Sequence, residues 1–242
     1  TMDWLEGEIK HTKMKVCLWD NYEADTKNIS ELVKQGKKIN QPFAHLSITD
    51  DIYELKKVAE IFTKSKYQNV LNKINIKNTK NEKIRIAYFS ADFREHPVSI
   101  LTTEMFELHD KSLFETYAFS YGPDDKGQMR KRIINAFNQF YEVSKISDLE
   151  IVKIARKLNI DIAIDLGGYT SKCRTEIFNN RVAPIQVSYI GFLGTMSNNK
   201  IDYLIADKTI ITNKEKDAYT EKIIFLPSYQ INDRKRKIAD KK

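Results

Sequence analysis

Apolar positions follow two regimes along the chain. In Asp51 to Lys64, Ile52, Leu55, Ala59 and Phe62 recur at helical spacing with Lys and Glu opposite, which predicts an amphipathic helix. Ile29, Leu32 and Val33 predict an earlier helix ending near Gly36, and Gln41-Pro42 enforces extended chain after it. Residues 72–83 (NKINIKNTKNEK) are polar and rich in Lys and Asn, the pattern of a linker. Residues 1–80 therefore read as a helical segment.

The pattern changes at Ile84. Apolar, β-rich runs at 84–90, 115–121, 138–143, 160–165, 185–190, 201–206 and 222–226 read as strands. Between them lie helical stripes: Leu101, Met105 and Leu108; then Met129, Ile133 and Phe137; then Leu149, Val152, Ala155 and Leu158. Strands alternating with helices of about ten residues imply βαβ units and a mostly parallel sheet. The expected fold is a Rossmann-like α/β domain over about 83–230, followed by a basic linker or tail at 231–242.

Composition sharpens this picture in three places. Apolar residues make up 41% and charged residues 30% of the 242, which excludes disordered, collagenous and low-complexity classes. The net charge of +7 is local: residues 234–242 hold six bases and one acid, which leaves the rest at only +2 and gives no support to a nucleic-acid binder. Cys17 and Cys173 stand far apart without a CxxC, no signal peptide is visible, and no apolar run approaches bilayer length. Reduced thiols, a cytoplasmic location and no membrane partner are the expectations.

In an open α/β sheet, ligands bind beyond the carboxyl ends of the strands, where helix N-termini offer N–H groups to anions. Three loops fall there: 90–97 after the first strand, 165–170 after the fourth and 191–195 after the fifth. Pro97 suits the first helical position, which holds His96 at a helix N-terminus where the dipole disfavours imidazolium. A plain reading stands beside this one, in which Asp92 caps the loop and His96 is a buried structural residue. GxGxxG, GxxxxGK[ST], GxSxG and Asp-x-Asp are absent, and four His with two distant Cys make no ligand spacing, so a metal site is not expected.

The loop sequences go further. SADFREHPVS (90–99), DLGGYTSKCR (165–174), RVAPIQVSYIGFLGT (181–195), IDYLIAD (201–207) and YQIND (229–233) resemble, in order, the O-linked N-acetylglucosaminyltransferase and SPINDLY-like family. CLWDNY (17–22) and PFAHLSITDD (42–51) resemble the stretch that joins tetratricopeptide repeats to the catalytic region in bacterial members.

The resemblance implies the N-terminal domain of a two-domain GT-B glycosyltransferase. Such enzymes are inverting and metal-independent, and move a sugar from a nucleotide to Ser or Thr of proteins. It implies no cofactor, with UDP-N-acetylglucosamine as the expected donor substrate, a protein acceptor as partner, and a C-terminal half, in the same or another chain, that completes the nucleotide pocket. Asp92 and His96 match the family's Asp and His at the donor sugar and diphosphate, and are the candidate catalytic residues. Pro97 and Val98 match donor-sugar neighbours, although Val98 stands where animal members have Thr, and Ile100 replaces a second His. Ile190 and Gly191 match backbone positions that bind a sugar hydroxyl, while Phe192 and Leu193 depart from the family's Tyr-Pro. Tyr169 and Thr195 complete the candidate substrate-binding set. The alternative reading is a non-catalytic protein-binding module derived from the same fold.

Overall fold

A computed structural model describes residues 2–67, 81–231 and 233–236. Four helices come first: α1 (Leu5–Lys15), α2 (Tyr22–Lys34), α3 (Pro42–His45) and α4 (Ile52–Lys66). The α/β region follows as β1 (Ile84–Ser90), α5 (Pro97–Glu107), β2 (Phe114–Ser120), α6 (Gln128–Ala136), β3 (Gln139–Glu142), α7 (Asp148–Lys157), β4 (Ile162–Asp165), α8 (Glu176–Asn179), β5 (Ile185–Ser188), β6 (Tyr203–Ala206) and β7 (Lys222–Phe225). All seven expected strands are present: β1 coincides with its run, β2 lies one residue earlier, and the other five are shortened by up to two residues at an end because pairing stops before the apolar run does.

The strands form one parallel sheet in the order β3-β2-β1-β4-β5-β6-β7. The order reverses at β1, which pairs with β2 on one side and β4 on the other. Crossovers leaving in opposite directions open a crevice at that point, beyond the carboxyl ends of β1 and β4. The fold is α/β and Rossmann-like, as expected.

β1 is buried over its last five residues because helices cover both faces, which is why its sequence reads as a continuous apolar run. Ala87 and Phe89 face a layer with Ile151, Val152 and Ala155 of α7, and with Ala59 and Phe62 of α4. Ile86 and Tyr88 face the other layer, with Phe106 of α5 and Ile133 of α6. The helical segment thus shares the main core, with the Phe62 ring 5.4 Å from Trp4 and 5.1 Å from Tyr169.

The stripe expected on α4 is partly corrected. Ala59 and Phe62 are buried, but Ile52 and Leu55 are half-exposed, and Glu54 and Val58 take their place inside. The helix serves two partners: Phe62 meets the sheet layer, whereas Val58 packs on Ile29, Val33 and Ile39. Glu54 is tolerated there because it accepts a 2.8 Å hydrogen bond from the Ser30 hydroxyl and pairs with His45 Nε2 at 2.8 Å. Burial in turn lowers the pKa of His45.

The expected linker at 72–83 lies mostly outside the described residues, as do 237–242 of the basic end. The start of that end is tied down rather than free. Asp233 pairs with Arg132, Arg234 Nε meets Glu104 at 2.5 Å, and Lys235 Nζ meets Glu107 at 2.8 Å. Among the described residues, no helix is long and apolar enough to cross a membrane.

Removing the Phe62 ring from the joint between the helices and the sheet, by Phe62→Ala, is expected to lower stability by about 3 kcal/mol. Urea unfolding should remain one cooperative transition. An early transition confined to the helices would show that they fold apart from the sheet.

Candidate functional site

The carboxyl ends of β1, β4 and β5 open into a pocket of about 550 Å³. Of the residues expected from sequence, Asp92, His96, Pro97, Val98, Ile190 and Gly191 line it.

The loop after β1 is held rigidly by its neighbours. The Ser90 hydroxyl accepts from Asp92 N–H at 2.9 Å, and the Asp125 carboxylate accepts from Glu95 N–H at 2.8 Å. Arg130 is buried under the loop and donates to the Phe93 carbonyl at 2.6 Å, while its guanidinium also pairs with Glu142. Gly122 passes so close that a Cβ there would lie 1.7 Å from the Ala91 carbonyl oxygen, so only glycine fits.

These restraints aim the loop's side chains. His96 is extended and caps α5, its Nδ1 accepting from Val98 N–H at 3.3 Å, and Pro97 occupies the first helical position. Its side chain is 30% exposed, which removes the reading of a buried core histidine. The cap fixes the Nδ1 lone pair, so the neutral ring carries its proton on Nε2, facing Asp92 Oδ1 at 3.7 Å. In this pose His96 is a hydrogen-bond donor toward the pocket; to accept a proton at Nε2 it must first change tautomer. Asp92 Oδ1 also accepts from Arg94 Nη2 at 3.0 Å, so one carboxylate oxygen binds Arg94 and faces the His96 ring.

The loop after β4 begins at Asp165, which is buried and accepts from Gly167 N–H at 2.9 Å. Burial pushes its carboxyl up to about 6, opposed by the Gly167 and Gly168 N–H groups. Gly168 has φ +55, and a Cβ there would meet the Phe192 side chain at 2.4 Å. Past this turn, Thr170 and Lys172 reach the pocket.

In the loop after β5, Ile190 sits at φ 63, a left-handed conformation that is costly for a β-branched residue and concentrates at ligand sites. Gly191 follows with its Cα against the neighbouring loop: a Cβ would lie 2.0 Å from the Leu166 carbonyl oxygen. The strain is held by packing, since Ile190 is buried and Tyr189 donates to the Tyr229 carbonyl at 2.9 Å.

Two expected residues lie elsewhere. Tyr169 turns into the core, where its hydroxyl donates to the Met196 carbonyl at 2.7 Å and also pairs with Thr63 Oγ1. Thr195 is buried behind the loop and donates to the Glu221 carboxylate at 2.7 Å. Neither lines the pocket, because these hydrogen bonds hold both side chains against the core. Phe192 likewise points inward, leaving Leu193 at the pocket. Residues not singled out from sequence fill the remaining wall: Phe43 from α3, Arg94, Lys172, Leu101 and Tyr229. Among the described residues, no three His, Cys, Asp or Glu side chains converge in a way that could hold a metal, and both cysteines are free thiols.

The family model for glycosyl transferase family 41 matches residues 16–241. A probable UDP-N-acetylglucosamine–peptide N-acetylglucosaminyltransferase, SEC, of Arabidopsis thaliana is 39% identical over 160 residues, covering 66% of this chain and 16% of that protein. The UDP-N-acetylglucosamine–peptide N-acetylglucosaminyltransferase of Caenorhabditis elegans is 28% identical, covering 88% of this chain and 20% of that protein. An O-GlcNAc transferase mutant from Thermobaculum terrenum shares the fold with a TM-score of 0.72 at 22% identity, over 88% of this chain and 40% of that one. The chain therefore spans a fifth or less of the length of these two curated relatives.

The buried carboxyl of Asp165 yields a pH test. Its native pKa of about 6 exceeds the ordinary 3.8, so between these values the folded state binds the extra proton and stability falls as pH rises. Asp165→Asn keeps an oxygen for Gly167 N–H and removes the titration. The variant is expected to gain stability over wild type by about 2 kcal/mol between pH 4 and pH 6, read from denaturant midpoints. An unchanged difference across that range would contradict the assignment.

Proposed function

The chain belongs to glycosyl transferase family 41, and from that premise we propose that its pocket is the donor-sugar side of a protein O-glycosyltransferase. The reaction moves N-acetylglucosamine from UDP to Ser or Thr hydroxyls, with inversion and without a metal. One observation carries the reading: Asp92, His96, Pro97 and Val98 after β1 meet Ile190 and Gly191 after β5 in one pocket. These are the positions that the sequence resemblance assigns to the donor.

In such a transfer the acceptor oxygen attacks the anomeric carbon from the face opposite the diphosphate. A bond forms to the acceptor oxygen as the bond to the phosphate oxygen breaks; the hydroxyl loses its proton and negative charge grows on the leaving diphosphate. Fixed donors and cations aimed at that charge lower the barrier most. Here the candidates are His96 Nε2–H and the cations of Arg94 and Lys172, all at the pocket wall. The strained Ile190-Gly191 backbone is the candidate for a sugar hydroxyl. Asp92 holds Arg94 in place and faces His96.

The full-length gene product, assayed with a panel of nucleotide sugars, should use UDP-N-acetylglucosamine on protein acceptors. In that assay His96→Ala is expected to lower turnover about a hundredfold or more with the fold intact. Asp92→Asn distinguishes roles: loss of activity alone places Asp92 in the chemistry, whereas parallel loss of stability makes it a loop cap. Near-normal turnover in folded His96→Ala protein would remove this histidine from the mechanism.

A further inference from the structure

The helical segment places one aromatic ring where the fold does not need it. In α3, Pro42, Ala44 and His45 are all buried, whereas Phe43 is 46% exposed and lines the pocket. The turn that presents it is anchored on every other side. His45, fully buried, bonds Glu54 through Nε2 at 2.8 Å and Asn40 through Nδ1 at 3.1 Å. Asn40 Oδ1 accepts from Gln41 N–H at 2.9 Å, and Gly7 of α1 abuts Asn40 so closely that a Cβ would stand 2.2 Å from Oδ1. A four-residue helix locked by a saturated buried polar network leaves Phe43 nothing to do for the core. Its ring joins Val98, Leu101 and Leu193 as the apolar part of a pocket whose polar part is Asp92, His96 and Lys172.

Carbohydrate binding calls for that mixture: hydrogen-bonding groups for the hydroxyls, and an aromatic face for the ring C–H bonds, whose positive edge is attracted to the negative π face. We propose that Phe43 is a specificity-determining residue that stacks on the apolar face of the donor's pyranose ring. This inference rests on the donor-site reading above and adds to it a role for the segment before the α/β region. Arg94, Asp92 and Lys172 would hold the polar side while Phe43 selects a ring with an uninterrupted C–H face.

The test compares UDP-N-acetylglucosamine with UDP on the full-length gene product by calorimetry, in wild type, Phe43→Ala and Phe43→Trp. Because Phe43 is half exposed, all three should keep the same melting temperature. The expected result is that Phe43→Ala weakens the sugar nucleotide roughly fivefold or more, leaves UDP unchanged, and is rescued by Phe43→Trp. Unchanged binding of the sugar nucleotide, or an equal loss for UDP, overturns the inference. So does unchanged donor binding with a raised KM for acceptor peptide, which would assign the ring to the acceptor. Absence of sugar-nucleotide binding by the wild type overturns the donor-site reading itself.

Discussion

Two backbone contacts that leave no room for a methyl group hold the site together. Gly122, at the end of β2, lies against the carbonyl of Ala91, and Gly191, after β5, lies against the carbonyl of Leu166. Each clamps a loop at the crevice to the strand-end beside it in the sheet. The parallel order, reversing at β1, brings those strand-ends together, and the glycines let their loops close to contact distance. A side chain at either position would separate the loop bearing Asp92 and His96 from its support, or the Ile190 turn from the β4 loop. The left-handed backbone at Ile190 persists because its surroundings over-determine it.

The electrostatics of the pocket follow from this rigidity. Capping α5 with His96 commits Nδ1 to the backbone and turns Nε2–H outward, so the ring's tautomer is a consequence of helix initiation. Asp92 binds Arg94 and faces this ring with the same oxygen, which concentrates donors on one wall. Ion pairs at the far end of α5, through Glu104 and Glu107, fasten the residues that follow Tyr229 to the same helix. The helix that presents His96 is thereby tied at both ends, one to the sheet and one to the chain leaving it.

Much of the fold was legible in the sequence because buried parallel strands read as apolar runs and their crossovers as helical stripes. The seven strands, the Rossmann-like class and the crevice loops follow from that contrast. α1 was not legible: its apolar Leu5 and Ile9 are exposed while Gly7 and Lys10 are buried, so no stripe marks it. On α4 the sequence showed one apolar face, but two packing partners rotate the buried arc to Glu54 and Val58. In the site, motif position identified the loops but not the direction of their side chains, which is why Tyr169 and Thr195 point inward. Arg94 and Lys172 lie in the crevice loops themselves, but only the structure shows that their side chains reach the pocket, and Phe43 joins it from a distant segment that no local pattern connects to the site.

The central claim is that the pocket beyond β1, β4 and β5 receives the sugar nucleotide. Backbone amide NMR of this chain, titrated with UDP-N-acetylglucosamine, tests it most directly. The account predicts shifts concentrated in residues 92–98, 166–172 and 190–193, together with Phe43 and Tyr229. Shifts confined to the opposite edge of the sheet, or to the surface of α6 and α7, would contradict it.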